Sequence, residues 1–174
     1  MYKPKARRPK PTAQSLEPEA PRSDPRAAYV DGLKMLARRE LSEAQIRLRL
    51  ARKGHDEESV DAAVVRLRSE RAIDDARVAE AMAHTEVTLR KRGKLRIRRQ
   101  IEQAGIAPAL ARSAIDAVFE TVDDDALLAA SLTKRLRGRD IADDRERQRL
   151  YRYLIGQGFE HDRIMKALKT RTRR

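Results

Sequence analysis

The chain has 174 residues, of which 40% are hydrophobic, 3% aromatic and 39% charged, with a net charge of +13 and no cysteine. This composition supports one compact domain or a short repeat array with a core of Leu, Ile, Val and Ala, and it excludes disulfides, thiol catalysis and cysteine-based zinc sites. The cationic excess favours polyanions or acidic protein faces as partners. No apolar run approaches the roughly 18 residues that span a bilayer, and the basic start Met1-Tyr2-Lys3-Pro4-Lys5 leads into no apolar stretch of a secretory signal, so the expected compartment is the cytoplasm and no membrane contact is expected.

Residues 1–25 hold six of the seven prolines and few apolar residues, which predicts a disordered basic tail, with Pro25 adjoining the first helix. Through Arg26 this segment carries seven basic and three acidic residues, a balance suited to helping bind DNA or to aiding solubility. From Arg26 onward apolar residues recur at helical spacing. Tyr29, Leu33 and Leu36 are expected on one face of an entering helix. Ser42 is placed to accept from free amides at the next helix start, and Gly54 permits the left-handed turn that ends that helix after Ile46 and Leu50. Val60, Val64 and Leu67 form the next stripe. Asp74 or Asp75 is expected to cap a helix carrying Val78, Ala79, Met82 and Val87. No alternating pattern is long enough for a strand.

Superposing Gly54, Gly105 and Gly158 exposes a repeat with spacings of 51 and 53 residues. Eight residues before each glycine stand Ile46, Ile97 and Leu150, and four before stand Leu50, Ile101 and Leu154. Six after stand Val60, Ala111 and Ile164, nine after stand Ala63, Ala114 and Ala167, and ten after stand Val64, Ile115 and Leu168. Each match keeps an apolar residue on the same face relative to the same helix stop. The expected fold is therefore all-α: three tandem three-helix repeats over 26–73, 74–122 and 123–174, forming an elongated, curved right-handed or solenoid-like array. The entering helices are expected at 26–39, 75–91 and 124–137, the second helices at 42–53, 94–104 and 143–157, and the third at 56–71, 107–121 and 160–170. A single unit is not expected to bury its apolar face without a neighbour.

Catalytic constellations are poor. His55 and His161 fall in turns after two of the repeat glycines, His84 stands apart, and no pair has metal-ligand spacing, so all three are expected as exposed turn or surface residues. Asp74-Asp75, Asp123-Asp124-Asp125 and Asp143-Asp144 are the carboxylate clusters a metal-dependent nuclease would need, but each opens a predicted helix, where carboxylates cap amides and meet the positive end of the dipole. Gly156-x-Gly158 lacks the following signature of a phosphate-binding loop. No catalytic residue, metal or cofactor is assigned.

The basic residues carry the functional signal. Arg90, Lys91, Arg92, Lys94, Arg96, Arg98 and Arg99 fall within ten residues that contain no acid, an arrangement that like-charge repulsion disfavours without a partner. Arg98 adjoins Ile97 and is expected to turn partly toward a neighbouring helix. Lys134, Arg135, Arg137 and Arg139 form a second group, followed by Arg145, Arg147, Arg149 and Arg152. Such groups suit phosphates or a carboxylate-rich protein surface. Aromatic residues near them are few, Tyr151 and Tyr153 excepted, which disfavours base stacking, and Tyr153 equally suits packing between helices.

Three stretches together resemble the RecX regulatory proteins. Residues 28–46, from Ala28-Tyr29-Val30 through Leu36-Ala37-Arg38-Arg39 to Ser42-Glu43-Ala44-Gln45-Ile46, are similar to the family's Leu-x-x-Arg segment and following helix start. Ala72-Ile73-Asp74-Asp75-Ala76-Arg77-Val78-Ala79 is similar to its aspartate pair. Arg92-Gly93-Lys94-Leu95-Arg96-Ile97 through Gly105-Ile106 looks like its basic segment and glycine stop. Val78 stands where the family usually has Phe, Gln45 where Glu is common, and Ile101 where Leu is common, without change of helical register. The resemblance covers about 26–170. It implies three tandem three-helix units and a non-enzymatic protein that binds the RecA filament on single-stranded DNA, inhibiting ATP hydrolysis and strand exchange.

The expected partners are accordingly the RecA filament and single-stranded DNA, with double-stranded DNA as a further ligand, contacted by a monomer through Arg92, Lys94, Arg96, Arg98 and Arg99 first, then Arg135, Arg137, Arg145 and Arg149, within the wider set that adds Arg90, Lys91, Lys134 and Arg139. Two other readings fit the sequence: a general nucleic-acid-binding module indifferent to RecA, marked by tight, steeply salt-dependent binding to naked duplex or RNA, and a metal-dependent nuclease built on the aspartates, marked by cleavage in magnesium or manganese.

Overall fold

The structure, a computed structural model, describes residues 23–170. Among them are nine α-helices and no strand: α1 Pro25–Leu36, α2 Glu43–Arg52, α3 Glu57–Ser69, α4 Asp75–Thr88, α5 Lys94–Gln103, α6 Pro108–Phe119, α7 Asp124–Leu136, α8 Asp144–Gly156 and α9 His161–Lys169. They form three consecutive three-helix units, and helix packing is concentrated inside each unit. Each helix end lies within three residues of its expected position. The tail expected over 1–25 lies outside the described residues except for Ser23, Asp24 and Pro25. Pro25 occupies the first turn of α1, where its missing N–H costs nothing, and Asp24 is the cap.

Local chemistry sets the boundaries. Side-chain oxygens of Ser42, Asp56, Asp74, Asp123 and Asp143 each accept from backbone amides in the first turn of α2, α3, α4, α7 and α8, removing donors a helix cannot satisfy internally. The repeat glycines end α2, α5 and α8 with φ of +90° at Gly54, +80° at Gly105 and +89° at Gly158, the left-handed region that L side chains avoid. Arg71, Lys91 and Arg137 take the same conformation, at φ 57°, 55° and 52°, so the exits of α3 and α4 turn without glycine, while at the exit of α7 Arg137 is followed by Gly138 at +80°.

The aligned apolar positions fill the interior. Ile46, Ile97, Leu50, Ile101, Leu154, Val64, Ala111 and Ile164 are fully buried, each larger side chain stabilising the fold by about 1.5–3 kcal/mol. One expected face is rotated. On α1, Leu33 is 37% exposed, while Ala28 and Gly32 are buried. The reason is close approach: a Cβ on Gly32 would collide with Leu67 of α3. Small residues let these two helices pack tightly, and the larger apolar side chains are displaced to the rim.

The core is divided unequally. Ala28, Leu41, Ile46, Leu50, Val64, Leu67 and others close a cluster within unit 1 alone, contrary to the expectation that no unit covers itself. A second, continuous cluster runs from Val78 of α4 to Leu168 of α9 and joins units 2 and 3.

Two joints connect the units, both bringing the start of one second helix to the glycine turn of the next. At the first, Ser42 Oγ donates to the Ala104 carbonyl at 2.5 Å, and the Glu43 amide donates to Asp75 Oδ1 at 2.9 Å. Arg77 Nε also meets Glu40 Oε1 at 2.6 Å. At the second, α5 has no side-chain cap. The Gly93 amide donates to the Gln157 carbonyl at 2.9 Å and the Leu95 amide to the Gly158 carbonyl at 3.2 Å. The third second-helix start, that of α8, is closed by its own residues: Asp143 Oδ1 accepts from the Glu146 amide at 2.6 Å, and Glu146 Oε2 accepts from the Ala142 amide at 2.8 Å, a reciprocal cap.

Candidate functional site

The acidic clusters are structural. Asp74 caps α4, Asp123 caps α7 and Asp143 caps α8. Asp75 reaches across the first joint to the Glu43 amide. Asp124 and Asp125 build an ion network beside the second joint. Lys94 Nζ lies 3.1 Å from Asp124 Oδ2, and Arg163 Nη2 and Nη1 lie 3.5 Å from Asp124 and 2.6 Å from Asp125. Arg163 holds the Asp125 carboxyl below its ordinary value, and Asp125 raises the guanidinium in return. No grouping of three or more His, Cys, Asp or Glu side chains able to hold a metal occurs among the described residues.

His55 corrects the expectation of an exposed turn residue. Its side chain is 1% exposed, and Nε2 lies 3.0 Å from Asp31 Oδ2. Asp31 also meets Lys53 Nζ at 2.5 Å, and the Lys53 hydrogen bond, then that of His55, lowers its carboxyl below the ordinary value. The turn folds back against α1 because Asp31 offers the imidazole a charged partner there. His161 does sit at the surface, with Nδ1 2.8 Å from the Tyr151 hydroxyl, and His84 is exposed.

The run from Arg90 to Arg99 does not act as one face. Glu86, outside the acid-free window, is buried at 6% exposure and gathers two of its cations: Arg90 Nη1 at 3.0 Å and Arg92 Nη1 at 2.5 Å. Arg92 also donates to Gln100 Oε1 at 2.9 Å and is only 15% exposed. Its guanidinium satisfies a buried carboxylate and is turned inward, whereas the sequence had placed it first among surface contacts. Lys91 is half-buried in its left-handed turn. Lys94 pairs with Asp124 and lies 4.7 Å over the Phe119 ring. Arg96 donates from Nη1 to the Gly156 carbonyl at 2.6 Å, at the second joint. Arg98 and Arg99 are exposed on α5 with no ion pair among the described residues. Arg98 thus faces solvent and not a neighbouring helix.

In unit 3 the end of α7, the following turn and the start of α8 enclose a cleft of about 500 Å3 that brings Arg135, Arg137, Arg139 and Arg149 together, with Glu146 as its acid. Arg135 lies 5.2 Å over the Tyr153 ring, so that half-buried tyrosine is a platform for a cation and packs between helices. Arg137 is the left-handed cap of α7, and Arg139 Nε donates weakly to the Leu136 carbonyl at 3.4 Å. Lys134 and Arg145 are exposed beside the cleft. The sequence named these arginines and placed Tyr153 as a packing candidate but missed the organisers Glu86 and Phe119. Glu86 was legible only as an acid six residues before Arg92, beyond the run itself.

Family models describing the first, second and third three-helix domains of RecX match residues 28–67, 74–115 and 123–168. The chain belongs to the RecX family. It is similar to the regulatory protein RecX of Syntrophotalea carbinolica, 33% identical over 80% of this chain and 91% of the relative. It is also similar to that of Halorhodospira halophila, 34% identical over 78% and 82%. A solved structure of regulatory protein RecX superposes with a TM-score of 0.69 at 25% identity, covering 84% of this chain and 71% of the other. A RecX structure from Lactobacillus salivarius shares the fold, with a TM-score of 0.66 at 18% identity over 84% and 95%. Among the described residues no helix is long and apolar enough to cross a membrane.

Proposed function

We propose that this chain binds the RecA filament assembled on single-stranded DNA and lowers RecA's ATP hydrolysis and strand exchange. It acts without catalysis or cofactor, as a cytoplasmic monomer of units bounded near 26–73, 74–122 and 123–174. Family membership supports the RecA partner. One observation carries the contact assignment: after internal pairing is counted, Arg98 and Arg99 on α5 and Arg145 and Arg149 on α8 are exposed cations with no ion pair among the described residues. Unpaired guanidiniums at a surface are available to phosphate or carboxylate. Arg135, Arg137, Arg139 and Lys134 extend that face in unit 3. Arg90, Lys91, Lys94 and Arg96 flank it in unit 2 while also holding the fold, and Arg92 contributes through the fold alone. Double-stranded DNA is a weaker ligand of the same face.

The test is charge reversal of Arg98 and Arg99 to Glu, which spares the joint hydrogen bond of Arg96. Inhibition of RecA ATP hydrolysis is expected to fall by at least about tenfold in potency, each lost charged contact being worth roughly 1 kcal/mol or more. Unchanged inhibition would remove this face from the assignment. Equal affinity for naked duplex and for filament, with a steep salt dependence, would favour a general nucleic-acid module over a RecA partner.

A further inference from the structure

Unit 1 contains a second basic corner that the charge pattern of the sequence does not reveal. The end of α1, the α1–α2 turn and α2 surround a cleft of about 560 Å3, open to solvent on one side, with Arg38, Arg39, Arg49 and Arg52 around a floor of Met35 and Leu41. Acids lie close by in sequence yet are engaged elsewhere. Glu40 is held by Arg77 of unit 2 at 2.6 Å, and Asp31 is held by His55 and by Lys53, the fifth cation of the cleft. None of the four arginines has an ion pair among the described residues.

Arg49 is the centre of the corner. Its Nη1 is shielded from solvent and has no hydrogen-bond partner. Burial, then the neighbouring Arg39 and Arg52, push the guanidinium below its ordinary value. A guanidinium N–H shielded from water without an acceptor, beside two like charges, is costly to the empty protein. An anion seated between Arg49 and Arg52, three residues apart on one face of α2, would satisfy the orphan N–H and screen the repulsion.

The geometry narrows the anion. Guanidinium forks match the paired oxygens of phosphate. An apolar floor beside them suits the sugar or base attached to that phosphate. The open side lets a chain pass through, and a cleft of this size accepts a nucleotide splayed from a single strand but not one stacked in a duplex. We propose that the α1–α2 corner of unit 1 is a binding site for the backbone of single-stranded nucleic acid, with phosphate on Arg49 and Arg52 and the attached nucleoside over Met35 and Leu41. The corner lies in a different unit from the face assigned to the filament.

The test uses the full chain, labelled oligodeoxythymidine and no RecA, so its outcome is separate from that of the filament assignment. Arg49→Gln and Arg52→Gln are made singly and together, with Arg112→Gln on α6 as a matched loss of one exposed charge. The double variant is expected to bind the oligonucleotide about tenfold more weakly, with a salt slope shallower by about 1.4, while Arg112→Gln changes affinity less than about twofold. Arg49→Gln is expected to raise the melting temperature of the free protein, because it removes a repelled charge with a shielded, unpaired N–H, and to reduce the further rise that oligonucleotide gives. Arg52 is exposed, so Arg52→Gln supplies the same reading should Arg49→Gln disturb the fold. Unchanged affinity and slope would overturn the proposal. So would equal thermal protection by inorganic phosphate or free thymidine monophosphate at matched phosphate, which would mark a small-anion site. Retained oligonucleotide binding with lost binding to DNA-free RecA would also overturn it, marking an acidic protein face instead.

Discussion

The two joints of the array solve one problem with different materials. Between units 1 and 2, side chains make the link: the Ser42 hydroxyl on the Ala104 carbonyl, the Asp75 carboxylate on the Glu43 amide, and Arg77 on Glu40. The apolar clusters on either side remain separate. Between units 2 and 3 backbone meets backbone around Gly93 and Gly158, the side chains of Arg96 and Lys94 add contacts to Gly156 and Asp124, and the core is continuous across the joint. Side-chain links can be remade in several rotamers, whereas the main-chain links from Gly93 to Gln157 and from Leu95 to Gly158 admit one register. Unit 1 is therefore expected to open or swing as a body, and units 2 and 3 are expected to unfold together.

The largest test of this contrast is Gly158→Ala. A Cβ there would overlap the backbone of Arg96 at a φ of +89°, and a loss of more than about 3 kcal/mol is expected. Hydrogen exchange should then rise throughout units 2 and 3 and little in unit 1. Gly54→Ala is the matched control: no described residue lies within 4 Å of its Cβ position, so the left-handed backbone cost of about 1–2 kcal/mol is expected. Equal losses at the two positions would break the comparison.

Next in size is Arg92→Ala. It strips a close partner from the buried Glu86 carboxylate and is expected to cost about 3 kcal/mol, read as a lower urea midpoint. DNA affinity measured well below that midpoint should change less than about twofold, since one inward guanidinium makes no phosphate contact. A large loss of DNA affinity with unaltered stability would return Arg92 to the contact face.

Ser42→Ala removes both the α2 cap and the first joint's shortest hydrogen bond, for about 1–2 kcal/mol. The Gln45 amide, which donates to Ser42 Oγ at 3.2 Å, should exchange faster, while the amides of α8 and α9 are unaffected. Propagation of faster exchange into α8 would show that the first joint is as stiff as the second.

The smallest expected effect is a pH dependence confined to unit 1. Lys53 and His55 lower the folded-state value of Asp31, so the stability this carboxylate adds is fully present above its unfolded value of about 3.9 and is lost as pH falls from there through the lower folded value. Asp31→Asn should flatten that acid limb in a melting series between pH about 5 and 3. An unchanged acid limb would show that the Asp31 cluster does not hold unit 1.

Most of the architecture was legible because it rests on local rules. Gly54, Gly105 and Gly158 mark a backbone conformation that few other residues tolerate, and the apolar residues four and eight places before them must face the core once that stop is fixed. Ser42 and the aspartates announce helix starts by their own chemistry. What was not legible depends on approach between distant segments. Periodicity ranks side chains by size, so it favoured Tyr29, Leu33 and Leu36, whereas the tight α1–α3 packing selects Ala28 and Gly32. His55 lies buried because of Asp31, 24 residues earlier. Arg92 belongs to Glu86 and Gln100, neither of which alters the look of a basic run. The unit 1 corner stayed hidden for the converse reason: Glu40 dilutes the local charge in sequence but is drawn away by Arg77 in space.

The self-closed start of α8 has a consequence for how copies of this molecule meet. The start of α5 gives its free amides to the glycine turn of the following unit, and the start of α2, capped by its own Ser42, docks on the corresponding turn through the Ser42 hydroxyl on the Ala104 carbonyl, so each is a plug fitted to a socket. The Gly54 turn, with no described atom within 4 Å of its Cβ position, is a socket that holds no plug among the described residues. Were the plug at the other end bare, identical molecules could thread head to tail into an open filament of their own, as any unsaturated heterologous contact invites. Asp143 and Glu146 blunt that plug with their own carboxylates. With amides at its start already satisfied by Asp143 and Glu146, α8 has fewer free donors to offer another copy's glycine turn than the start of α5 would have.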